Sequence, residues 1–93
     1  MERKKLSARE IEKSLGELNG WKVENNNLKK RLSFPNFAES LAFVNLVGKI
    51  ADQHNHHPDI TFGWGYAEFS ITTHDADGIT AFDFALAKKI DQI

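Results

Sequence analysis

Three of the four histidines crowd into one stretch, His54-Asn55-His56-His57, and the fourth, His74, follows a segment whose alternate members Glu68, Ser70 and Thr72 are polar. An imidazole titrates near pH ~6.5, so it can give or take a proton at neutral pH, and clustered histidines suit general acid–base catalysis. Adjacent His56 and His57 project in different directions on an extended backbone. Both reach one pocket only if a partner such as His74 closes it from another strand. A second chemistry is a metal site, with His54 and His56 on one side of a strand-like segment, His74 as third ligand and a water as fourth. A plainer reading leaves each histidine on the surface, or capping a helix C-terminus where an imidazolium meets the dipole. The two chemistries make different demands: the metal needs His54, whereas acid–base catalysis by His56, His57 and His74 spares it. Asp52 and Asp75 are either solvated or placed to orient a neighbouring imidazole by accepting its second N–H. Trp21 and Trp64 read first as packing residues, although Trp21, after Gly20 at a strand start, could lie flat against a heteroaromatic ligand.

Holding these groups in place requires a framework, which the spacing predicts. Ser7 caps a first helix, Glu10 completes the capping box and Leu6 staples against Ile11; Ile11, Leu15 and Leu18 form its apolar stripe until Gly20. Trp21 to Glu24 alternates as a short strand, and Asn25-Asn26-Asn27 tolerates the left-handed turn of a hairpin. Leu28, Lys30, Leu32 and Phe34 then face one way, with Lys30 the imperfect member, until Pro35. Asn36 and Glu39 open a central helix in which Phe37, Leu41, Val44, Val47, Ile50 and Ala51 recur through about residue 53. Pro58 pushes His57 out of the helical region, leaving the histidines at an element boundary. Ile60, Phe62 and Trp64, then Ala67, Phe69 and Ile71, alternate as two more strands around a bend at Gly65. His74 to Gly78 reads as a loop, and Thr80 with Asp83 caps a last helix whose buried stripe is Phe82, Leu86, Ile90 and Ile93. The order α-β-β-α-β-β-α predicts an α+β fold, an antiparallel sheet with helices on one face.

A chain of 93 residues buries only about 60 to 65% of its unfolded surface, so a single domain spanning 1–93 is expected. With 41% hydrophobic and 27% charged residues it has a globular composition rather than a disordered or collagen-like one. Cysteine is absent, which removes disulfides, thiolate ligands and a nucleophilic thiol, and fits a reducing compartment. No apolar run approaches the roughly 18 residues of a membrane span, and the start MERKKLSARE lacks the apolar stretch of a signal peptide. The expectation is a cytoplasmic protein, neither exported nor inserted in a membrane. Residues 1–31 hold nine Lys/Arg against five Asp/Glu, and residues 32–93 hold three against eight. This polarisation could steer an anionic ligand or help two subunits meet, but it lacks the basic excess that nucleic acid rewards. The open face of the sheet and its edge strands are expected to leave apolar surface uncovered, so a two-fold dimer is predicted.

Asp52-x-x-x-His56-His57-Pro58, then Thr72-Thr73-His74-Asp75, Gly78-Ile79-Thr80 and Asp83-Phe84-x-Leu86-Ala87 together resemble the pterin-4a-carbinolamine dehydratase family, over a span from Gly20-Trp21 to Ile93. The resemblance implies a four-stranded antiparallel sheet with three helices on one side, in a homodimer or a homotetramer built as a dimer of dimers. It implies dehydration of a 4a-hydroxytetrahydropterin, left when aromatic amino acid hydroxylases use a reduced pterin, to the quinonoid dihydropterin. Neither a metal nor an organic cofactor is implied. The histidine triad carried over is His56, His57 and His74, with His56 and His74 handling protons and His57 mainly holding the pterin. Trp21, Asn55, Pro58, Thr72, Thr73 and Asp75 are implied as substrate contacts. Asp52, where many members place Glu, and Gly63-Trp64-Gly65 depart from the pattern without touching the triad.

Overall fold

The computed structural model describes residues 3–93. Its elements are α1 (Ala8–Leu15), β1 (Lys22–Glu24), β2 (Asn27–Ser33), α2 (Phe37–His54), β3 (Asp59–Gly63), β4 (Tyr66–Ile71) and α3 (Ala81–Asp91), with a single 3-10 turn at His74–Ala76. The strands form one antiparallel sheet in the order β1-β2-β4-β3, so the fold is α+β, with the helices against one face.

Local signals place the helix starts. Ser7 Oγ accepts from the Glu10 N–H at 3.2 Å while Glu10 accepts from the Ser7 N–H at 2.9 Å, and Thr80 with Asp83 closes the same box at α3. Asn36 Oδ1 caps α2 by accepting from the Glu39 N–H at 2.9 Å. Helix α1 stops sooner than its stripe suggests: Leu15 is its last residue and Leu18 reaches the core from a turn. Gly20, at φ +78, supplies the left-handed step into β1.

Register sets the core. Leu28, Lys30 and Leu32 oppose Ile71, Phe69 and Ala67, while Ile60 and Phe62 oppose Phe69 and Ala67 from the other side. Opposed residues share a face, which puts this set under Val47, Phe84, Leu86, Ala87 and Ile90 of the helices. Each fully buried large apolar side chain contributes about 1.5–3 kcal/mol. Lys30 belongs to that face because its stem runs outward to an ion pair: its Nζ lies 2.8 Å from Asp91, whose carboxylate also accepts the Trp21 indole N–H at 3.0 and 3.1 Å. In α3 the buried aromatic is Phe84, not Phe82, and Ile93 is exposed, so the expected stripe shifts toward Phe84 and Ala87.

The open face of the sheet is not apolar. Arg31 pairs with Glu68 at 2.8 Å and lies 4.3 Å over the Tyr66 ring, and Lys29 pairs with Glu24 at 3.2 Å. Exposed apolar groups are Phe37, Leu41 and Leu46 on α2, Val23 on the edge strand, Ile93, and Trp64, which at 72% exposed in the β3–β4 turn is not the packing residue expected. Among the described residues no helix is long and apolar enough to cross a membrane.

Candidate active site

The end of α2 decides where the histidines go. Asn55 adopts the left-handed conformation (φ 50, ψ 40), which asparagine tolerates better than most residues. Its N–H bonds the Asp52 carbonyl while the His56 N–H bonds the Ala51 carbonyl, both at 3.2 Å, a Schellman closure of the helix. The reversal sends His56 into the protein, only 8% exposed, and leaves His57 exposed before Pro58. From the sheet, Thr72 and Thr73 prolong β4. Thr73 pairs with Gly78 through N–H···O contacts of 3.1 and 3.4 Å, closing a short loop that starts with His74.

These segments surround a cavity of about 240 Å³ lined by His56, His57 and His74, with Asn55, Thr72, Thr73, Asp75 and Arg3. The structure therefore brings together the three histidines and four of the six expected contacts. Pro58 is half-buried and outside the lining. Trp21 is elsewhere: it is buried in the core with its indole N–H on Asp91, eight residues, or roughly 12 Å of helix, beyond Asp83. Its ring is packed in the core and its donor engaged by Asp91, so it does not line this cavity. His54, the last residue of α2, is also outside the cavity. The set His54, His56, His74 is thus not assembled, and among the described residues no group of three or more His, Cys, Asp or Glu is arranged to hold a metal ion. A larger groove of about 510 Å³ between α1 and α3 contains none of the histidines.

Behind His56 and Thr73 of the lining lies a buried polar network, of which the sequence shows only the helix cap. Asp83 is fully buried. Its Oδ1 lies 2.5 Å from His56 Nε2, and its Oδ2 accepts from the Thr73 hydroxyl at 2.9 Å and the Thr80 N–H at 2.7 Å. Thr80 Oγ1 lies 2.8 Å from Thr73 Oγ1, which completes the chain of hydroxyls. A buried carboxylate is tolerated only when its oxygens are satisfied, and these are. Asp83 engages Nε2 and so orients the His56 ring, leaving Nδ1 as the ring nitrogen without that partner. The Thr80-x-x-Asp83 box and the Asp83-Phe84-x-Leu86-Ala87 motif both marked Asp83, but nothing in sequence announced that His56, 27 residues away, would share it.

His57 Nε2 lies 2.8 Å from Asp52 Oδ1, so Asp52 orients an imidazole as one of its readings anticipated. Asp75 instead pairs with Arg3, at 3.5 Å. Arg3, unremarked in the sequence, lays its guanidinium 4.8 Å over the Phe82 ring, whose other neighbour is the His56 ring at 6.0 Å.

The fold is an α+β sheet carrying a pocket where three histidines meet, two of them bonded to carboxylates. Comparison with known proteins specifies the family. The chain belongs to the pterin 4 alpha carbinolamine dehydratase family, whose model matches residues 4–93. Relatives provisionally named pterin-4-alpha-carbinolamine dehydratases include one from Rubrobacter xylanophilus, 46% identical over 95% of this chain and 83% of its own length. One from Sulfolobus acidocaldarius is 46% identical over 96% of this chain and 98% of its own. A crystal structure from Brucella melitensis, described as a transcriptional coactivator/pterin dehydratase, shares the fold at a TM-score of 0.90 and 22% identity, covering 95% of this chain and 96% of that one.

Proposed function

We propose that this protein dehydrates 4a-hydroxytetrahydropterins to quinonoid dihydropterins, returning the oxidised pterin of an aromatic amino acid hydroxylase for re-reduction. The observation that carries the reading is the sharing of one cavity by His56, His57 and His74, with His56 locked by Asp83. In the reaction the C4a–O bond breaks as the hydroxyl receives a proton and leaves as water. The N5–H bond gives up its proton, and its electron pair forms the C4a=N5 double bond. His56, through Nδ1, and His74 are the proton carriers, one giving and one taking. His57, tethered to Asp52, holds the ring system, and Asn55, Thr72, Thr73 and Asp75 complete the wall. Acid–base help of this kind is worth about 10²- to 10⁴-fold, and no metal or organic cofactor enters any step.

We also read the molecule as a homodimer or homotetramer. β3 is an edge strand, and the exposed Phe37, Leu41 and Trp64 beside it offer a second copy both hydrogen bonds and apolar contact.

The test is the rate at which metal-stripped protein, with chelator present, consumes freshly generated 4a-hydroxytetrahydropterin against the spontaneous background. Acceleration supports the dehydratase. A folded protein that leaves the background unchanged overturns it and favours a non-catalytic interaction module.

A further inference from the structure

The segment before α1 crosses the loop that begins with His74. Leu6 packs on the core, and its N–H donates to the Ile79 carbonyl at 2.8 Å. The Lys5 stem lies over Gly78, where a Cβ would come within 2.8 Å of Lys5 Cε, so the crossing favours glycine there. Tied at these places, residues 3–6 form a strap that delivers Arg3 to the wall of the histidine cavity. The Arg3 guanidinium lies 4.8 Å over the Phe82 ring, and the His56 ring is 6.0 Å from that same ring. Asp75 meets the guanidinium at 3.5 Å, well beyond the roughly 2.7–2.9 Å of a good charge-assisted bond. With Arg3 44% and Asp75 69% exposed, this pair adds little to stability. Its loose hold leaves most of the guanidinium's fork of N–H donors open to another acceptor.

From this placement we infer that Arg3 is a further substrate-binding residue, whose guanidinium donates to the ring carbonyl oxygen of the bound pterin and steadies the ring against the histidines. The inference rests on the dehydratase reading of the cavity. An arginine stays protonated at any working pH, so it can neither give nor take the protons of the dehydration, and its part is that of a fixed donor. The N–H and amino groups of a tetrahydropterin are donors too, which restricts Arg3 to the acceptors of the ring. Of these the C4 carbonyl oxygen is nearest the reaction, because C4 is bonded to C4a, the carbon that loses its hydroxyl. Arg3 and His56 are both neighbours of Phe82, so a donor for the carbonyl stands close to a proton carrier for the adjacent hydroxyl. Phe82 holds the guanidinium flat by its ring face. Among the described residues of the lining no lysine or second arginine duplicates this donor.

The test is the steady-state kinetics of Arg3→Ala and Arg3→Lys on 6-methyl-4a-hydroxytetrahydropterin. Arg3→Ala should raise KM about tenfold, the worth of one hydrogen bond from a charged donor, and hold kcat within about twofold. Arg3→Lys keeps the charge and loses the planar fork, so it should recover only part of the loss. Exchange of the Leu6 amide, bonded to the Ile79 carbonyl, reports whether the strap stays in place. It should be as slow in free Arg3→Ala as in the unaltered protein. Faster exchange together with a higher KM would trace the effect to a displaced strap and overturn the direct contact. An unchanged KM, or a fall in kcat at constant KM, would overturn it as well. If the unaltered protein turns over no substrate, the dehydratase reading fails. The affinities of unreactive 6-methyl-7,8-dihydropterin for the unaltered protein and Arg3→Ala then decide the role of Arg3, and equal or absent binding in the two overturns it.

Discussion

Helix α2 joins two ends of the molecule that are built differently. At its C-terminal end His56, Thr73, Thr80 and Asp83 are buried polar groups that satisfy one another, and among the described residues no buried side-chain nitrogen or oxygen lacks a partner. At its N-terminal end the chain relies on aromatic contact: Phe34 lies 5.2 Å from Phe43, Phe43 5.9 Å from Phe69, and Phe37 5.8 Å from Phe62. A short polar tie from helix to sheet there is Ser40, whose hydroxyl donates to the Gly63 carbonyl at 2.6 Å. Directional bonds fix angles and protonation, whereas apolar contacts tolerate change in shape and leave surface for others to cover. The polar end is thus suited to chemistry and the aromatic end to holding and association.

Substitutions should separate the two ends. The largest effect belongs to the triad: His56→Ala and His74→Ala should each lower kcat by about 10²- to 10⁴-fold. His54→Ala should turn over near the unaltered rate, and a loss confined to that variant would break the assignment. Next comes Asp83→Ala, which strands His56, Thr73 and the Thr80 N–H. Urea unfolding should show a loss of about 3–5 kcal/mol, because a buried pair has been cut from one side. Asp83→Asn keeps the shape, so a shifted pH profile of kcat in that variant would separate orientation of His56 from mere scaffolding.

At the aromatic end, Trp64→Ser should leave kcat unchanged and unfolding within about 0.5 kcal/mol, as for an exposed position. The mass measured by sedimentation should fall toward one chain if this end meets a second copy. A drop in kcat instead would erase the distinction between the ends. The smallest effect belongs to neither. The backbone N–H and hydroxyl of Ser7 hold the Glu10 carboxyl below its ordinary 4.5, so its stabilisation is present above that pH and is lost as pH falls through the lower folded value. Glu10→Gln should flatten the acid side of the stability curve slightly and leave pH 7 activity alone.

Much of this was legible in the sequence, and what was not shares a cause. Capping boxes, strand alternation and the His-His-Pro boundary are signals between near neighbours, so helices and strands could be placed; the grouping of His56 and His57 with His74 came with the family resemblance. Trp21 was read first as a packing residue and sits in the core, but its indole partner Asp91, 70 residues away, had no local signal. Lys30 looked like a flaw in its strand for the same reason, its partner lying 61 residues on. Asp83 was seen as a cap and missed as the anchor of His56. The open face was expected to be apolar because strand periodicity marks which residues alternate, not which cross-strand charges pair.

The loop closed by Asp83 carries a consequence for the order of folding. Thr73, Thr80 and Asp83 lie within ten residues of one another, whereas His56 joins them across 27. Closing the shorter loop costs less chain entropy, by about 0.9 kcal/mol on the logarithmic scaling. The threonine–aspartate frame should therefore form first and His56 dock onto it later. Pulsed hydrogen exchange would see the Thr80 amide protected before binding competence returns, and simultaneous recovery would contradict that sequence of events. Acid–base competence would then be a late product of folding, gained only when the end of α2 has closed on the sheet.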